Sequence, residues 1–569
     1  MIRELREQIG YFIKKRIYML SLIMAALAGY GYQLCHGTCG IDDISIDLYF
    51  EKGLGVAIGR WPYYLLNKII PLAEYKPFLW DFIMLLLMMV SAVLWCVLIR
   101  MVIKKELPIV CYIVFTAMFL DYSMIADVFV FYLQNGLGFL YLLTALSLCG
   151  TYYIYIMSET NNRREVLWLK ILIIIVVTIA IGFYESAANV FLSGVFLIAY
   201  LSMIGEQSNN HNLKKIFLVM FWCVRVLVYA IVIRRVIRTV IMHVFGILPY
   251  TFYRSALSGG WIFEGNMQAI GEKIYSLLMS IFCDYFVVGI VYYPVFLFII
   301  ASVLFIAYVI VRCVKDRNIL QGALGLGLYI SLFVLSILQG EPLKYRACQT
   351  FNIFVAIVLL GVVAVIWYQN RWMKGIGIVC VALCILNSAC DMTRWFALDY
   401  RKTEYEMAVI DRIASDLKSG EYSIDKKPIV VVGDFELGKA LYEEYCVMEG
   451  DLGWELIKWS AEESGRTVED SYAYAQNSQS IIDWSVTAFT SYAGRNFPIK
   501  QFFEYKGYTF MWADSEVSAR VFDKYYPLDK ELYDINQMLE SYTENYSLQE
   551  SYPNEGYIEE KDDYIVVKL

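Results

Sequence analysis

Eleven long apolar segments in the first 390 residues constrain the fold of this chain more than any other feature. A helix needs about 20 mainly apolar residues to cross a hydrocarbon core of about 30 Å. The segments are approximately 17–34, 77–99, 107–120, 136–156, 166–183, 187–203, 216–233, 292–311, 319–338, 351–368 and 375–388. We therefore predict an α-helical polytopic membrane protein with about 11 transmembrane helices.

The two parts of the chain differ in charge. Residues 1–390 carry 30 Lys and Arg against 20 Asp and Glu, a net charge of +10, whereas residues 391–569 carry 18 against 35, a net charge of −17. We predict a membrane domain at 1–390 and a small, soluble α+β domain at 391–569. Within this tail, the pattern predicts an amphipathic helix at 405–417 and strands at 428–432 and 564–569. Nucleic acid is not an expected partner, because the acidic tail would repel phosphates.

Lys and Arg in the short connections predict the orientation of the chain. They fall at alternate connections, namely the N-terminus, 100–105, 163–164, 214–215, 312–315 and 371–374. If these connections are cytoplasmic, an odd number of spans in the cytoplasmic membrane places the C-terminal domain outside. The same parity places the segments 35–76, 121–135, 234–291 and 339–350 on the outer face. The region 231–291 leaves an alternative open, since three arginines interrupt its apolar run and one further span would move the tail to the cytoplasm.

The first predicted outer loop, 35–76, carries two adjacent carboxylates, Asp42 and Asp43. One carboxylate can accept a proton while its neighbour orients it or holds a cation, so the pair is a candidate general base. The alternative is a solvated loop in which Asp43 caps a helix. Residues 44–61 have the spacing of a helix that lies in the membrane interface. This suits an enzyme with a lipid substrate, although packing against neighbouring spans accounts for the pattern equally well.

The same loop resembles the first outer loop of a known family. Its motifs are Gly40-Ile-Asp-Asp43, Asp47-Leu-Tyr-Phe50, Gly53-Leu-Gly55, and Gly59-Arg-Trp61 with Leu65-Leu-Asn67. They are similar to those of the bacterial serotype-converting glucosyltransferases (Gtr, type II), polytopic enzymes that resemble GT-C glycosyltransferases. The segment Gly182-Phe-Tyr-Glu-Ser186 also resembles that family. The similarity covers approximately residues 15–390, and the tail departs from it.

This resemblance implies a GT-C-like fold and an inverting membrane glycosyltransferase. The reaction would move a hexose, glucose by analogy, from a polyprenyl-phosphate sugar to a cell-envelope glycan, such as O-antigen, on the outer face. In GT-C enzymes an acidic residue of the first loop is the usual base, which carries over to Asp42 or Asp43. The phosphate already activates the donor, so no cofactor is required, and a divalent cation at Asp42 and Asp43 is optional.

A polyprenyl phosphate leaving group calls for fixed cations near the lipid headgroup, preferably guanidinium groups. The basic residues on the predicted outer face that meet this need are Arg60, Arg254, Lys344 and Arg346. Lys344 and Arg346 directly precede a span, where an outer loop is normally poor in positive charge. The alternative is that these side chains reach lipid phosphates without taking part in catalysis.

Ionisable residues beside spans are candidates for contacting the acceptor or the transferred sugar, because their burial is costly and usually serves a function. Asp121 and Asp127 flank a predicted outer segment, and Glu185 lies at a tight outer turn. Tyr345 and Gln349 complete the candidate set. The three carboxylates could instead cap helices or pair with the arginines of the region 231–291.

Two further motifs do not predict sites. Cys35-His-Gly-Thr-Cys39 has no second ligand pair nearby, so we predict no metal site there. Gly433–Lys439 has the spacing of a phosphate loop, but Ala440 follows where a magnesium-binding hydroxyl is needed.

Two other functions remain as alternatives to glycosyl transfer. A polyprenyl-linked glycan flippase or transporter would use the same charges as a pathway, although the sequence shows no inverted repeat. An envelope polysaccharide polymerase or ligase would handle similar lipid-linked sugars, usually with its main site in later loops.

Overall fold

The computed structural model describes residues 2–38, 53–70, 77–129, 136–157, 163–205, 210–247, 267–279, 293–340, 347–433, 497–513, 517 and 550–569. Six of the predicted site residues lie outside these ranges: Asp42, Asp43, Arg254, Lys344, Tyr345 and Arg346.

Helices dominate the described part of the chain. In order they are α1 (Ile2–Lys14), α2 (Arg16–Cys35), α3 (Leu54–Ala57), α4 (Trp61–Asn67), α5 (Pro77–Ile103), α6 (Ile109–Leu120), α7 (Ala126–Phe129), α8 (Gly136–Met157), α9 (Arg163–Phe183), α10 (Ala187–Gly205), α11 (Asn210–Phe245), α12 (Met267–Met279), α13 (Tyr293–Asp316), α14 (Ile319–Ser331), α15 (Val334–Gln339), α16 (Phe351–Trp367), α17 (Arg371–Ser419) and α18 (Phe497–Tyr505). The strands are β1 (Ile429–Val432), β2 (Ile558–Glu560) and β3 (Ile565–Lys568).

Among the described residues, eight helices are long and apolar enough to cross a membrane: α2, α5, α8, α9, α10, α11, α13 and α17. The shorter apolar helices α6, α14 and α16 occupy the other three predicted segments. Large apolar side chains on these helices also point away from the protein, as at Phe217 and Phe221 of α11. Such helices satisfy their backbone groups internally, as the hydrocarbon core requires. The prediction of a helical, membrane-embedded protein is confirmed, and the count of 11 spans stays a prediction.

Helix α11 does not end where its apolar segment was predicted to end. It continues past Ile233 to Phe245 and is 36 residues long. At 1.5 Å per residue this is about 54 Å, longer than the hydrocarbon core of about 30 Å. The arginines after Ile233 therefore lie on a continuous helix that is long enough to extend beyond the bilayer.

Helix α17 joins the membrane bundle to the tail. It has 49 residues and runs without a break through the charge boundary at 390/391. The amphipathic helix predicted at 405–417 is its C-terminal part, and Ile410 and Ile413 are buried there. A change in net charge therefore marks a change of environment along one helix rather than a chain break.

The described residues of the tail combine helix and sheet. The strand order is β1-β3-β2, with β1 parallel and β2 antiparallel to β3. The two predicted strands, near 428–432 and 564–569, are therefore neighbours, with Ile429 opposite Ile565. Ile413 of α17 and Phe502 of α18 pack with the sheet in a separate apolar cluster. The tail thus has α+β structure with a small core of its own.

An ion pair in this tail leads to a pH-dependence prediction. The Lys427 ammonium, 2.6 Å from the carboxylate, and the Ser423 backbone N–H, which donates at 3.0 Å, lower the pKa of Glu560 to about 2. A carboxyl group with a lowered folded-state pKa stabilises the fold above its unfolded pKa of about 4.3, and this contribution is lost as the pH falls through the folded value.

We expect the amide-exchange protection factors of residues 558–568 to fall between pH values of about 5 and about 2 in the wild type, and to change less in Glu560→Gln. Glu559→Gln is the matched control, because Glu559 is the exposed neighbour on the same strand. The assignment of this pH dependence to Glu560 is wrong if the protection factors of Glu560→Gln depend on pH as they do in the wild type.

Candidate functional site

The described candidate residues lie where several helices end together. Tyr141 of α8 donates to the Gln349 carbonyl at 2.8 Å, and Ser186 donates to the Gln349 side chain. Tyr30 of α2 donates to the Leu120 carbonyl, also at 2.8 Å. These bonds join the C-terminal ends of α2 and α6 to each other and the N-terminal starts of α8, α10 and α16 to one another. Asn352 of α16 links the two sets, because it donates to the Phe119 carbonyl of α6 at 3.1 Å. Each of these ends was predicted to face outward, so the predicted outer face is one continuous region of the fold.

The second part of the first outer loop, residues 53–70, packs onto this region and is called the first-loop segment below. The Tyr63 ring meets the Phe183 ring edge-on, with centroids 5.2 Å apart. A Cβ atom at Gly182 would lie within 3.0 Å of Pro62 and Trp61, so glycine allows this close approach. The two stretches that carry the family resemblance, in the first loop and at 182–186, therefore contact each other.

Glu185 lies at the turn between α9 and α10 and is surrounded by cations. It accepts a hydrogen bond from Arg234, and the Arg60 Nε lies 3.9 Å from its second oxygen. Arg60 also lies over the Tyr184 ring, 4.6 Å from the centroid. Burial would raise the pKa of Glu185, but the charges of Arg234 and Arg60 outweigh it and hold the pKa below its ordinary value. Glu185 is thus an ionised anchor for two guanidinium groups.

Arg234 and Arg238 also hold the backbone of the first-loop segment. Arg234 Nε donates to the Gly59 carbonyl at 3.3 Å, and Arg238 donates to the Ala57 carbonyl. Gly59 has a φ of +104°, and a side chain there would collide with the Arg234 guanidinium. The arginine cluster, defined as Arg60, Arg234 and Arg238, therefore lies where the loop meets α11.

Sequence reasoning considered Arg234, Arg235 and Arg238 only as possible ion-pair partners and gave none of them a site role. A signal for Arg234 and Arg238 was present in the spacing of α11. Arg234, Ile237, Arg238 and Ile241 follow the i, i+3, i+4, i+7 pattern of one helix face, and all are at least half-buried, whereas Arg235 is exposed. The pattern was not evident because the apolar run was taken to end at Ile233.

The other predicted sugar-contact residues lie in different parts of this region. Gln349 is buried beside Ser186 and is therefore next to Glu185. Asp121 directly follows α6 and is 1% exposed, and its Oδ1 accepts no hydrogen bond from the residues that the structure describes. Asp127 lies in α7. The structure thus brings Gln349 to the Glu185 turn and places Asp121 beside Gly29 of α2. Contact with a sugar stays a prediction for Gln349, Asp121 and Asp127.

A second polar cluster was missed from the sequence. Asp81 of α5 is buried, as are Asp391, Asp399, Lys402 and Glu406 of α17. Asp81 was a detectable signal, because it lies inside the apolar segment 77–99. The charged residues of α17 are spaced by 8, 3 and 4, which places them on one helix face. They were assigned to the soluble tail because the charge boundary was drawn at 390.

The ranges that the structure describes contain no group of three or more His, Cys, Asp or Glu residues placed to hold a metal ion. Asp42 and Asp43 fall outside those ranges, so a cation there stays a prediction.

Comparisons with known proteins identify a family for most of the chain. A family model described as Glucosyl transferase GtrII matches residues 31–390. No curated protein and no solved structure matches the chain. The match covers α3 to α16, and so includes the first-loop segment, the Glu185 turn and the arginine cluster. It confirms the resemblance that the first-loop motifs predicted.

Proposed function

The chain belongs to the glucosyl transferase GtrII family, and on this premise we propose that it transfers a hexose from a polyprenyl-phosphate sugar to an envelope glycan. The reaction takes place at the outer face of the cytoplasmic membrane, with the N-terminus in the cytoplasm. The family supports a glucosyltransferase that acts in glycan modification, and the lipid-linked donor is our proposal.

The arginine cluster is the observation that carries the donor assignment. Three guanidinium groups, from Arg60, Arg234 and Arg238, lie around the carboxylate of Glu185 or against the adjoining loop backbone. They lie beside the turn between α9 and α10, where two apolar helices end, which is the depth at which a lipid phosphate sits. Guanidinium groups bind phosphate oxygens in pairs, and they stabilise the charge that develops as the phosphate leaves.

The remaining roles follow from the sequence predictions. Arg346, Lys344 and Arg254 contribute further positive charge to the donor phosphate. Asp43 or Asp42 removes the proton from an acceptor hydroxyl as its oxygen attacks the anomeric carbon. The bond from that carbon to the phosphate oxygen breaks, and polyprenyl phosphate leaves with the electron pair. The anomeric configuration inverts, since attack comes from the side opposite the leaving group.

Purified protein in lipid nanodiscs, given polyprenyl-phosphate glucose and envelope glycan, tests this function. We expect covalent transfer of glucose to the glycan and release of polyprenyl phosphate, both followed by mass spectrometry. A nucleotide-linked glucose should not replace the lipid-linked donor. Movement of the lipid-linked sugar across the bilayer without covalent change would instead identify a flippase, and lengthening of a glycan chain a polymerase.

A further inference from the structure

A group of buried polar side chains lies between the C-terminal end of α2, the N-terminal end of α5 and the middle of α17, apart from the arginine cluster. Lys402 Nζ lies 2.8 Å from Asp399 Oδ1. Tyr32 and Tyr400, the sequence neighbours of Gln33 and Asp399, meet with ring centroids 6.3 Å apart. Helix α2 also packs against α5, and Asp81 of α5 interacts electrostatically with Gln33 and Asp399. Gln33 and Asp81 precede Asp399 and Lys402 by more than 300 residues in the sequence, yet all four side chains are at least 95% buried. Charges kept at this depth are costly and usually serve a function.

Two acceptor atoms in this group lack a hydrogen-bond donor among the described residues: Oε1 of Gln33 and Oδ2 of Asp399. Their residues are 3% and 2% exposed. Buried acceptors are nearly always paired in native proteins, so these two mark a place for donor groups that a ligand supplies. Gln33 is a neutral amide, so its unpaired oxygen points to a ligand independently of the carboxylates.

The chemistry of the two unpaired atoms selects the class of ligand. Gln33 Oε1 and Asp399 Oδ2 both accept hydrogen bonds, and a phosphate dianion would bring further acceptors rather than donors. A sugar ring fits better, because its hydroxyl groups are neutral donors that carboxylate and amide oxygens accept.

Aromatic rings lie beside the buried group on the same two helices. Tyr32 stacks on His36, with centroids 4.0 Å apart and planes 15° apart. Tyr400 meets His36 edge-on at 4.8 Å. All three are half-buried, so part of their surface remains accessible to a ligand. Aromatic faces pack well against the apolar face of a sugar ring.

We propose that Gln33, Asp81 and Asp399 form a hexose-binding subsite that accepts hydrogen bonds from sugar hydroxyl groups. The subsite borders the start of the first loop, because Gln33 Nε2 donates to Thr38 Oγ1 at 3.3 Å. The inference rests on the proposed function for the identity of the sugar. The hexose belongs either to the donor or to the acceptor glycan, and separate kinetic measurements distinguish the two.

Asp399→Asn tests the subsite, because asparagine keeps the shape of the side chain but not its charge. Loss of a hydrogen bond to a charged group changes an equilibrium constant by about 10- to 100-fold. We expect KM to rise by this factor for polyprenyl-phosphate glucose or for the glycan, with kcat nearly unchanged. Gln33→Met is the second variant, since it removes the unpaired oxygen without changing charge. The subsite is wrong if both variants fold and neither KM changes.

Asp391→Asn is the matched control. Asp391 is a buried carboxylate on the same helix, but it pairs with Asn387 and Arg394. The Asp391→Asn variant should lose some thermal stability and keep the wild-type KM for both polyprenyl-phosphate glucose and the glycan. Equal KM changes in Asp391→Asn and Asp399→Asn would show a general effect of altering this face of α17 and would overturn the proposal.

Thermal unfolding with methyl glucoside as the probe gives a measurement that does not depend on transfer. We expect the glucoside to raise the Tm of the wild type and of Asp391→Asn, but not of Asp399→Asn or Gln33→Met. If the glucoside raises the wild-type Tm but no sugar is transferred, the subsite is retained and the proposed reaction is rejected. If sugar is transferred, but the glucoside does not raise the Tm and the variants keep the wild-type KM values, the reaction is retained and the subsite is rejected.

Discussion

Replacing Asp43 or Asp42 by asparagine should abolish hexose transfer while the protein stays folded. A positioned general base contributes about 10²- to 10⁴-fold to a rate, and an asparagine side chain cannot take up the proton. We therefore expect kcat for transfer from polyprenyl-phosphate glucose to fall by at least about 100-fold in one of the two single variants and in the double variant. The donor KM should change little, since the carboxylate acts on the acceptor hydroxyl.

Glu51→Gln provides the control for this experiment, because it removes a carboxylate from the same loop. It should keep nearly full activity. The Tm of each variant in nanodiscs shows whether lost activity reflects chemistry or unfolding. Full activity in both single variants and in the double variant would rule out this pair as the base and leave the loop motif without a catalytic role.

Replacing Arg234 by methionine should have the second largest effect. The variant loses the hydrogen bonds to Glu185 and Gly59, and hydrogen bonds to charged groups contribute about 1.5 to 3 kcal/mol each. It also leaves the half-buried Glu185 with Arg60, at 3.9 Å, as its cation partner among the described residues. We expect a lower Tm and a rise in the donor KM of about 100-fold, because the first-loop segment and the donor phosphate both lose a guanidinium group.

Arg235→Met is the matched control, since Arg235 is the exposed neighbour on the same helix. It should keep the wild-type Tm and donor KM. A double variant, Arg234→Met with Glu185→Gln, separates the two roles of Arg234. It should recover part of the Tm, because the carboxylate that lost Arg234 is removed as well, and should not recover the donor KM. Recovery of both would show that Arg234 serves only to neutralise Glu185.

The same ion pair has a defined pH dependence. The pKa of Glu185 is lowered in the folded protein, so the pair stabilises the fold above the unfolded pKa of about 4.3. This contribution is lost as the pH falls through the lowered folded value. In Arg234→Met the pKa should rise, and this acid-dependent loss of stability should shrink.

Local sequence patterns were sufficient to predict most of the helices. The segments predicted at 136–156 and 187–203 correspond to helices Gly136–Met157 and Ala187–Gly205. The predicted strand at 428–432 is β1, Ile429–Val432. Hydropathy and periodicity are properties of neighbouring residues, so they indicate an element without information about its partners. The first-loop motifs also identified the family correctly, because they are contiguous in the chain.

The composition of the candidate site required the tertiary structure. The sequence left open that Glu185 pairs with Arg234, Arg235 or Arg238. Only the fold shows that Arg234 is the partner, that Arg60 joins the pair and that Arg238 holds the first-loop segment. These contacts cross 49 to 181 residues of chain, and no local pattern encodes such pairings.

Sequence by itself determined that this is a helical membrane protein of a glucosyl transferase family with an acidic tail. The tertiary structure decided which charges meet. By sequence alone, Asp81 is an isolated carboxylate inside the apolar segment 77–99, and Asp399 falls in the predicted soluble domain at 391–569. They become neighbours because α17 continues through the charge boundary and packs against α2, which in turn packs against α5. The physical reason is that burial of a charge depends on what packs against it, and that is set by helices far apart in the chain.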